Sequence, residues 1–201
     1  MLEISDLIRV RLKEYNDVFS FNYAFLKRAC GVGVVNQELV ERFGITGPNA
    51  RASGLDFDVR KQHPYCGTDR LDFSVPIGTG EFGVVGDSHD RFLVRLREIS
   101  QSVDLVRFLA ERIPTGPFAG VGALDDFQVP SGEAYVRVES SRGLLGCHLV
   151  SDGGSHPCRI QFRTPSSSAI ALLPEILSGA RIEDLSVILA SLDISVAEVD
   201  K

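Results

Sequence analysis

Between Gly44 and Tyr65 the chain reads GITGPNARASGLDFDVRKQHPY, and no other stretch restricts the fold as tightly. Thr46-Gly47-Pro48 is punctuation: glycine can take positive φ, while proline fixes its own φ and drives the preceding residue out of the helical region. Ala52-Ser53-Gly54 is a second run of small residues, which lets main chain approach its neighbours closely. Charged and apolar residues then alternate through Leu55-Asp56-Phe57-Asp58-Val59-Arg60, which predicts an extended, half-buried segment. On residue types alone, Arg51, Asp58 and Arg60 can pair with one another to hold the loop.

The rest of the chain bounds the possibilities. The 21 basic and 27 acidic residues give a net charge of −6 and are interleaved, with no Lys/Arg block, which excludes a nucleic-acid surface. A 201-residue chain with 44% hydrophobic residues can bury one core. We expect a single domain over 1–201, with a helical part over 1–114 and a strand and terminal-helix part over 131–201. The Gly- and Pro-rich Thr115–Pro130 is the change of register between them. No apolar run is long enough to cross a bilayer and the opening lacks the design of a secretory signal, so the expectation is an internal protein, at most peripheral to a membrane. Cys30, Cys66, Cys147 and Cys158 are scattered, without CxxC or a His at ligand spacing. This chain is therefore expected to hold no metal or iron-sulfur cluster, and its thiols to be reduced and partly buried. His89, between Asp87 and Asp90 in sequence, reads either as a proton carrier or as a solvated helix cap.

Periodicity supplies the elements. Ile4, Leu7 or Ile8, Leu12 and Tyr15 recur at helical spacing and predict a helix over about Ile4–Lys27, one member of a bundle. Cys30–Val35 breaks the pattern, and Asn36 caps a short helix, Gln37–Phe43. The lone Gly31-Val32-Gly33 is not a dinucleotide fingerprint. Asp69–Pro76 reads as extended and Gly78–Gly86 as a glycine-rich connection. A long helix then starts at Asp87 or Ser88, carries a stripe of Phe92, Leu96, Ile99, Val103, Val106, Ala110 and Ile113, and stops before Pro114. At 1.5 Å per residue it runs on the order of 38 Å, and its stripe is read as core. From Glu133 to Thr164 the period is two, giving three antiparallel strands joined by Ser141-Arg142-Gly143 and Asp152–Ser155. Asp152 reads as a turn residue bonding its own backbone. A helix over Ser167–Leu177, restarting at Pro174, is closed by Gly179. A last helix, Ile182–Leu192, reads as deeply buried. The class is α+β: a helical-bundle segment with one long amphipathic helix plus a small three-stranded antiparallel sheet.

The string Thr46, Gly47, Pro48, Arg51, Ala52, Ser53, Gly54, Asp58, Arg60, Pro64, Tyr65 resembles a segment shared by the D-type, quinone-site subunits of NADH:quinone oxidoreductase (respiratory complex I) and the large subunits of membrane-bound nickel-iron hydrogenases. The resemblance continues at Gly86, Asp87, Asp90, Arg91 and Arg95, similar to the family's GDxxDRxxxR. It continues again at Gly132-Glu133 with Tyr135, at Leu149-Val150-Ser151-Asp152-Gly153, and at Pro157, Arg159, Arg163, Pro165 and Ser166. The region before Gly132 looks shortened, and Ser167-Ser168-Ala169-Ile170 replaces an aromatic-rich continuation. The resemblance covers most of this chain but only about the C-terminal half of the family, and it implies a nickel-iron hydrogenase large-subunit-like fold.

The ending separates the two branches. Hydrogenases of this kind finish with SIDPCxxCxDR, whose two thiolates hold the metals; Ser195 and Glu198 stand at those positions here, and neither is a soft thiolate ligand. Ser191-Leu192-Asp193-Ile194-Ser195-Val196-Ala197-Glu198-Val199-Asp200-Lys201 resembles instead the complex I ending SLDIVxGExDR, with Lys201 losing the bidentate pairing of arginine. The resemblance implies one component of a membrane-associated NADH:quinone oxidoreductase (a translocase of electron transport) bordering the quinone chamber. In that reading Asp193 supplies charge and Ser195, Val196 and Val199 shape the wall, while Arg51, Asp58, Arg60, Asp87, Asp90 and Arg91 are structural motif residues. Read without the resemblance, Asp193 caps the preceding turn. Quinone would be the substrate, electrons would come from a neighbouring iron-sulfur subunit, and NADH would bind in another subunit. A further polypeptide would supply the missing N-terminal half, whose His and Tyr bond the quinone head, so this chain alone would be inert. Its place would be peripheral, on the cytoplasmic face of the inner membrane. The alternative is a non-catalytic scaffold, or a truncated or split remnant, that only docks to partner subunits.

Overall fold

A computed structural model of the chain describes residues 2–116 and 128–200; most of the Thr115–Pro130 connection, and Lys201, lie outside them. Nine α-helices and one sheet are found among the described residues. The expected first helix is interrupted. α1 (Leu2–Tyr15) runs into a π-helical turn, Asn16–Ser20, and the chain restarts as α2 (Tyr23–Ala29). The break lies at Asn22, whose side-chain oxygen accepts a hydrogen bond from Ala24 N at 2.9 Å. An asparagine that caps a new helix competes with continuing the old one. α3 (Gln37–Phe43) matches its expected bounds, with Asn36 Oδ1 accepting from Leu39 N.

The Gly44–Tyr65 stretch departs from expectation. It contains two short helices, α4 (Pro48–Ala52) and α5 (Val59–Gln62), instead of an extended run from Leu55. Asp58 is the reason: itself extended (φ −144°, ψ 127°), it accepts from Arg60 N through its carboxylate and so caps α5, ending the expected extended run before Val59. A 3-10 turn at Thr68–Arg70 follows.

α6 (Ser88–Ala110) is the longest helix, about 35 Å at 1.5 Å per residue, and ends four residues before Pro114. Its burial does not follow the predicted apolar stripe. Val103 is buried, but Ile99, Val106 and Ile113 are exposed; the helix is buried at its first turn, through Ser88, His89, Asp90 and Arg91. Hydrogen bonds make this burial of polar groups tolerable. Asp87 accepts from Asp90 N, Gly31 N and Val84 N, and Asp90 accepts from Gly80 N and Gly86 N, so two carboxylates strap the glycine-rich loop to the helix start. His89 is neither solvated nor placed to carry protons outward: its Nε2 donates to Ser20 O at 3.0 Å, and its ring lies against Phe25 and Phe82.

The sheet has the order β1 (Gly132–Ser140), β2 (Gly143–Ser151), β3 (Arg159–Arg163), antiparallel throughout, with Ser140 opposite Gly143 across the turn Ser141-Arg142. Asp152 bonds the backbone of its own turn, accepting from Gly154 N. α7 (Pro165–Leu177) starts two residues early and passes through Pro174 without restarting. The final helix divides into a 3-10 turn, Ile182–Asp184, and α8 (Leu185–Leu192); only Ile188 and Leu192 are buried, so α8 has one buried face. α9 is the single turn Val196–Val199. The main core joins α3, α4, α7 and α8 through Val40, Ala50, Leu172, Ile176, Ile188 and Leu192. Cys30 and Cys147 are half-buried, whereas Cys66 and Cys158 are exposed.

Candidate functional site

The terminal segment after α8 is tied down from three directions. Asp193 ends the helix in the left-handed region (φ 52°), a conformation that Asp tolerates better than most residues. The β1–β2 turn brings Arg142 to it: Nε donates to the Asp193 carbonyl at 2.9 Å and lies 3.3 Å from its carboxylate, while Nη1 is 3.7 Å from Glu198 Oε1. α7 supplies the second tie, with Ser166 Oγ donating to Glu198 Oε2 at 2.5 Å and accepting from Ser195 N at 3.1 Å. α4 supplies the third, as Asn49 Nδ2 donates to the Leu192 carbonyl at 3.0 Å.

The result is a short, held segment with a charged pair beside an apolar surface. Asp193, Ser195 and Val199 are half-buried, and Val196 is 78% exposed. Glu198 is committed to Ser166 and Arg142, and Ser195 to the helix-start position of α9. With no thiolate at either position, this donor set does not fit a nickel-iron centre. Among the described residues no group of three or more His, Cys, Asp or Glu side chains is placed to hold a metal ion.

A polar row on α6 backs this segment. Arg91, Arg95 and Glu98 follow one another at steps of four and three, hence on one face. Arg91 donates to Ser191 Oγ, Gly86 O and Gly33 O; Arg95 donates to Ser191 O at 2.6 Å and Asn49 Oδ1 at 2.9 Å. Burial pushes the Arg91 guanidinium down to about 9, helped by neighbouring Arg95, which leaves it charged at neutral pH. Glu98 reaches Arg51 at 2.5 Å.

Arg51 sits at the centre of a second, enclosed cluster. It is 2.8 Å from Glu139 on β1 and 3.5 Å from Asp58, which in turn holds Arg60 at 2.6 Å. The structure thus brings Arg51, Asp58 and Arg60 together as the residue types allow, and adds Glu98 and Glu139. Asp87, Asp90 and Arg91 lie apart from this cluster, at the α6 start. Burial pushes the Glu139 carboxyl up, by more than its contact with Arg51 offsets. For Asp58, burial also raises the pKa, but the hydrogen bonds and charge of Arg60, then the charge of Arg51, hold it below the usual carboxylate range.

That depression sets a pH dependence. A carboxyl with a lowered folded-state pKa adds stability above its unfolded pKa of about 4 and loses it as the pH falls through the folded one. The stability gap between the parent chain and Asp58→Asn is therefore expected to close on acidification from pH 6 to pH 3 in urea titrations. A gap that widens would contradict the assignment.

Asn49, Glu98 and Glu139 are not singled out by sequence; Arg95 and Ser166 stand out there only as motif positions and Arg142 only as a turn residue, none with the role the structure gives it. The steps Arg91, Arg95, Glu98 offer a signal, but the apolar stripe on the same helix masks them.

A mixed helix and sheet architecture of this kind is shared with a chain of an archaeal respiratory membrane complex, the membrane-bound sulfane sulfur reductase. The superposition has a TM-score of 0.89 at 36% identity over 99% of this chain and 54% of that one. The chain belongs to the family of the respiratory-chain NADH dehydrogenase 49 kDa subunit, which it matches over residues 1–124 and 118–201. Similar curated relatives are the D-type subunits of NADH-quinone oxidoreductase from Bacillus cereus (37% identical over 98% of this chain and 53% of that protein) and from Syntrophobacter fumaroxidans (38%, over 96% and 51%). The chain spans about half the length of the curated relatives it matches. Among the described residues no helix is long and apolar enough to cross a membrane.

Proposed function

We propose that this chain is the C-terminal half of the family's hydrogenase-large-subunit-like fold, forming one domain with α6 as its amphipathic spine. Its terminal segment forms one wall of the quinone-reduction chamber of a membrane-associated NADH:quinone oxidoreductase. Asp193 with Arg142 forms the polar pair that orients the quinone head, Ser195 shapes the bend, and Val196 and Val199 give the apolar surface. A quinone head needs that combination: an apolar slot with a few fixed hydrogen-bonding groups. Electrons arrive from an iron-sulfur subunit, NADH binds in a different subunit, and the His and Tyr of the family's other half come from a separate polypeptide. Within that assembly this chain is peripheral, on the cytoplasmic face of the inner membrane.

The observation that carries this reading is the anchored Asp193–Val199 segment, held through Arg142, Ser166 and Asn49 yet leaving Val196 exposed. Photolabelling of the assembled complex with an azidoquinone tests it. Label is expected in the peptide containing residues 182–200 and is expected to be displaced by excess unlabelled quinone. Displaceable label found only in other peptides would refute the placement.

The archaeal relative supports a second reading, in which the same fold serves a complex acting on sulfane sulfur. Sulfide release from polysulfide by the purified complex, without quinone reduction, would favour it.

A further inference from the structure

Resting on that reading, we propose that Arg95 is a positioning residue for quinone reduction, fixing the direction of the Asp193 carboxylate by capping the carbonyl end of α8. The end of a helix leaves its last carbonyls without a donor inside the helix. In α8 three successive carbonyls at this end are taken by side chains from three other elements. Arg95 on α6 donates to Ser191 O at 2.6 Å, Asn49 on α4 donates to Leu192 O at 3.0 Å, and Arg142 of the β1–β2 turn donates to Asp193 O at 2.9 Å. Two of the three donors are guanidinium groups, and positive charge is favoured at the carbonyl end of the helix dipole.

Arg95 is the member that ties the set together. Its Nη2 donates to Asn49 Oδ1 at 2.9 Å, so the amide that caps Leu192 is oriented by the guanidinium that caps Ser191. Its Nη1 also donates to Arg91 O at 3.0 Å, one turn earlier, which fixes the guanidinium on its own helix. Two residues along α4 and three along α6, Arg51 donates to Glu98 at 2.5 Å, a second rung between the same two helices. The end of α8 is thus held from a doubly tied base, and Asp193, at φ 52°, follows directly from it. Its own N–H donates to Ala190 O and its carbonyl accepts from Arg142, so the backbone is bonded on both sides and the carboxylate direction is set by where the α8 end sits. A small misplacement of a group that orients a reactant lowers the rate steeply. The Arg95 bonds all go to neutral oxygens, which leaves its charge to act on Asp193. Burial pulls the guanidinium down; of the carboxylates that oppose this, Asp193 comes first and Glu98 second, while Arg142 and Arg51 add to the lowering.

The test measures kcat and KM for duroquinone with the complex purified on the affinity-tagged chain, normalised to the complex recovered, in the parent and in the Asp193→Asn background. Arg95→Gln is expected to lower kcat/KM about fivefold in the parent background and less than twofold once Asp193 is replaced, because the effects of groups that act through one another do not add. Arg95→Lys keeps the charge and a donor for Ser191 O, and is expected to stay within about twofold of the parent. Asn49→Ala removes the bond to Leu192 O and leaves Arg95 on Ser191 O; it is expected to lower kcat/KM about threefold, again only where Asp193 is present, and it decides the matter if Arg95→Gln yields no complex. A loss of the same size in both backgrounds, from either variant, would overturn the positioning role while the proposed function stands. So would parent kcat/KM in Arg95→Gln. Asp193→Asn reducing quinone at the parent rate would overturn both.

Discussion

Arg51→Leu is expected to lower the unfolding free energy by about 3–5 kcal/mol, the usual cost of removing one partner from a buried ion-paired cluster. The side chain is only 2% exposed, as are the carboxylates it faces, 1% for Asp58 and 3% for Glu139. Leucine fills comparable volume, so the cost is electrostatic: Glu139 is left buried, with Val59 N as its remaining close donor, and Glu98 loses its 2.5 Å contact. The α4 helix, the α6 helix and β1 are joined through this guanidinium, which also donates to Phe57 O. Arg60→Leu offers the contrast. Arg60 is 24% exposed and bonds only the Asp58 end of the cluster, so its removal is expected to cost less than half as much. Urea denaturation of the two variants checks the order; a midpoint for Arg51→Leu equal to the parent's would show that the cluster contributes nothing to stability.

Gly47→Ala is expected to be of similar severity, on the order of 4 kcal/mol, for a reason of backbone and not of charge. Gly47 has φ 69° and ψ −151°, a region that only glycine occupies readily. A methyl group there would stand 2.3 Å from Gly143 Cα and 2.5 Å from the Arg142 carbonyl oxygen. Both are main-chain atoms, so the Thr46–Pro48 turn and the β1–β2 turn must separate. Their separation would break the bond from Leu144 N to Thr46 Oγ1 and withdraw Arg142 from Asp193. The variant is expected to lose function along with stability. Gly31→Ala is the control: it also has positive φ (71°), but a methyl there meets nothing within 4 Å, so only the conformational cost of about 1–2 kcal/mol remains. Comparable melting of the two variants would show that close approach at Gly47 is not what matters.

What can be read from sequence is local in origin. The cap of α3 at Asn36, the α6 start at Asp87 and the three strands with their Ser141-Arg142 turn depend on residues a few positions apart, and all stand where expected. The end of the segment from Leu55 to Arg60 misleads because an alternating pattern and a capped helical turn use the same residue types; only the Asp58 carboxylate accepting from Arg60 N decides between them. Burial of α8 is less than its sequence suggests because apolar content does not say how many faces find a neighbour. The site is legible only in part. Asp193, Ser195, Val196 and Val199 stand out through the terminal motif, but what holds them comes from far along the chain: Arg142 lies 51 positions from Asp193, and Asn49 143 positions from Leu192. No periodicity encodes such pairs. Glu98 and Glu139 escape a sequence reading for the same reason, lying 47 and 88 positions from Arg51.

Quinone reduction by the assembled complex carrying Asp193→Asn tests the role of the terminal segment most directly. The substitution keeps shape and removes charge, so the fold tied through the Asp193 carbonyl is retained while the carboxylate's pair with Arg142 is lost. Quinone-dependent activity is expected to fall at least tenfold, about 1.4 kcal/mol of transition-state stabilisation, with electron transfer from NADH to ferricyanide unchanged. Quinone reduction at the parent rate, with the Arg142 pair absent, would contradict the assignment of this segment to the quinone wall.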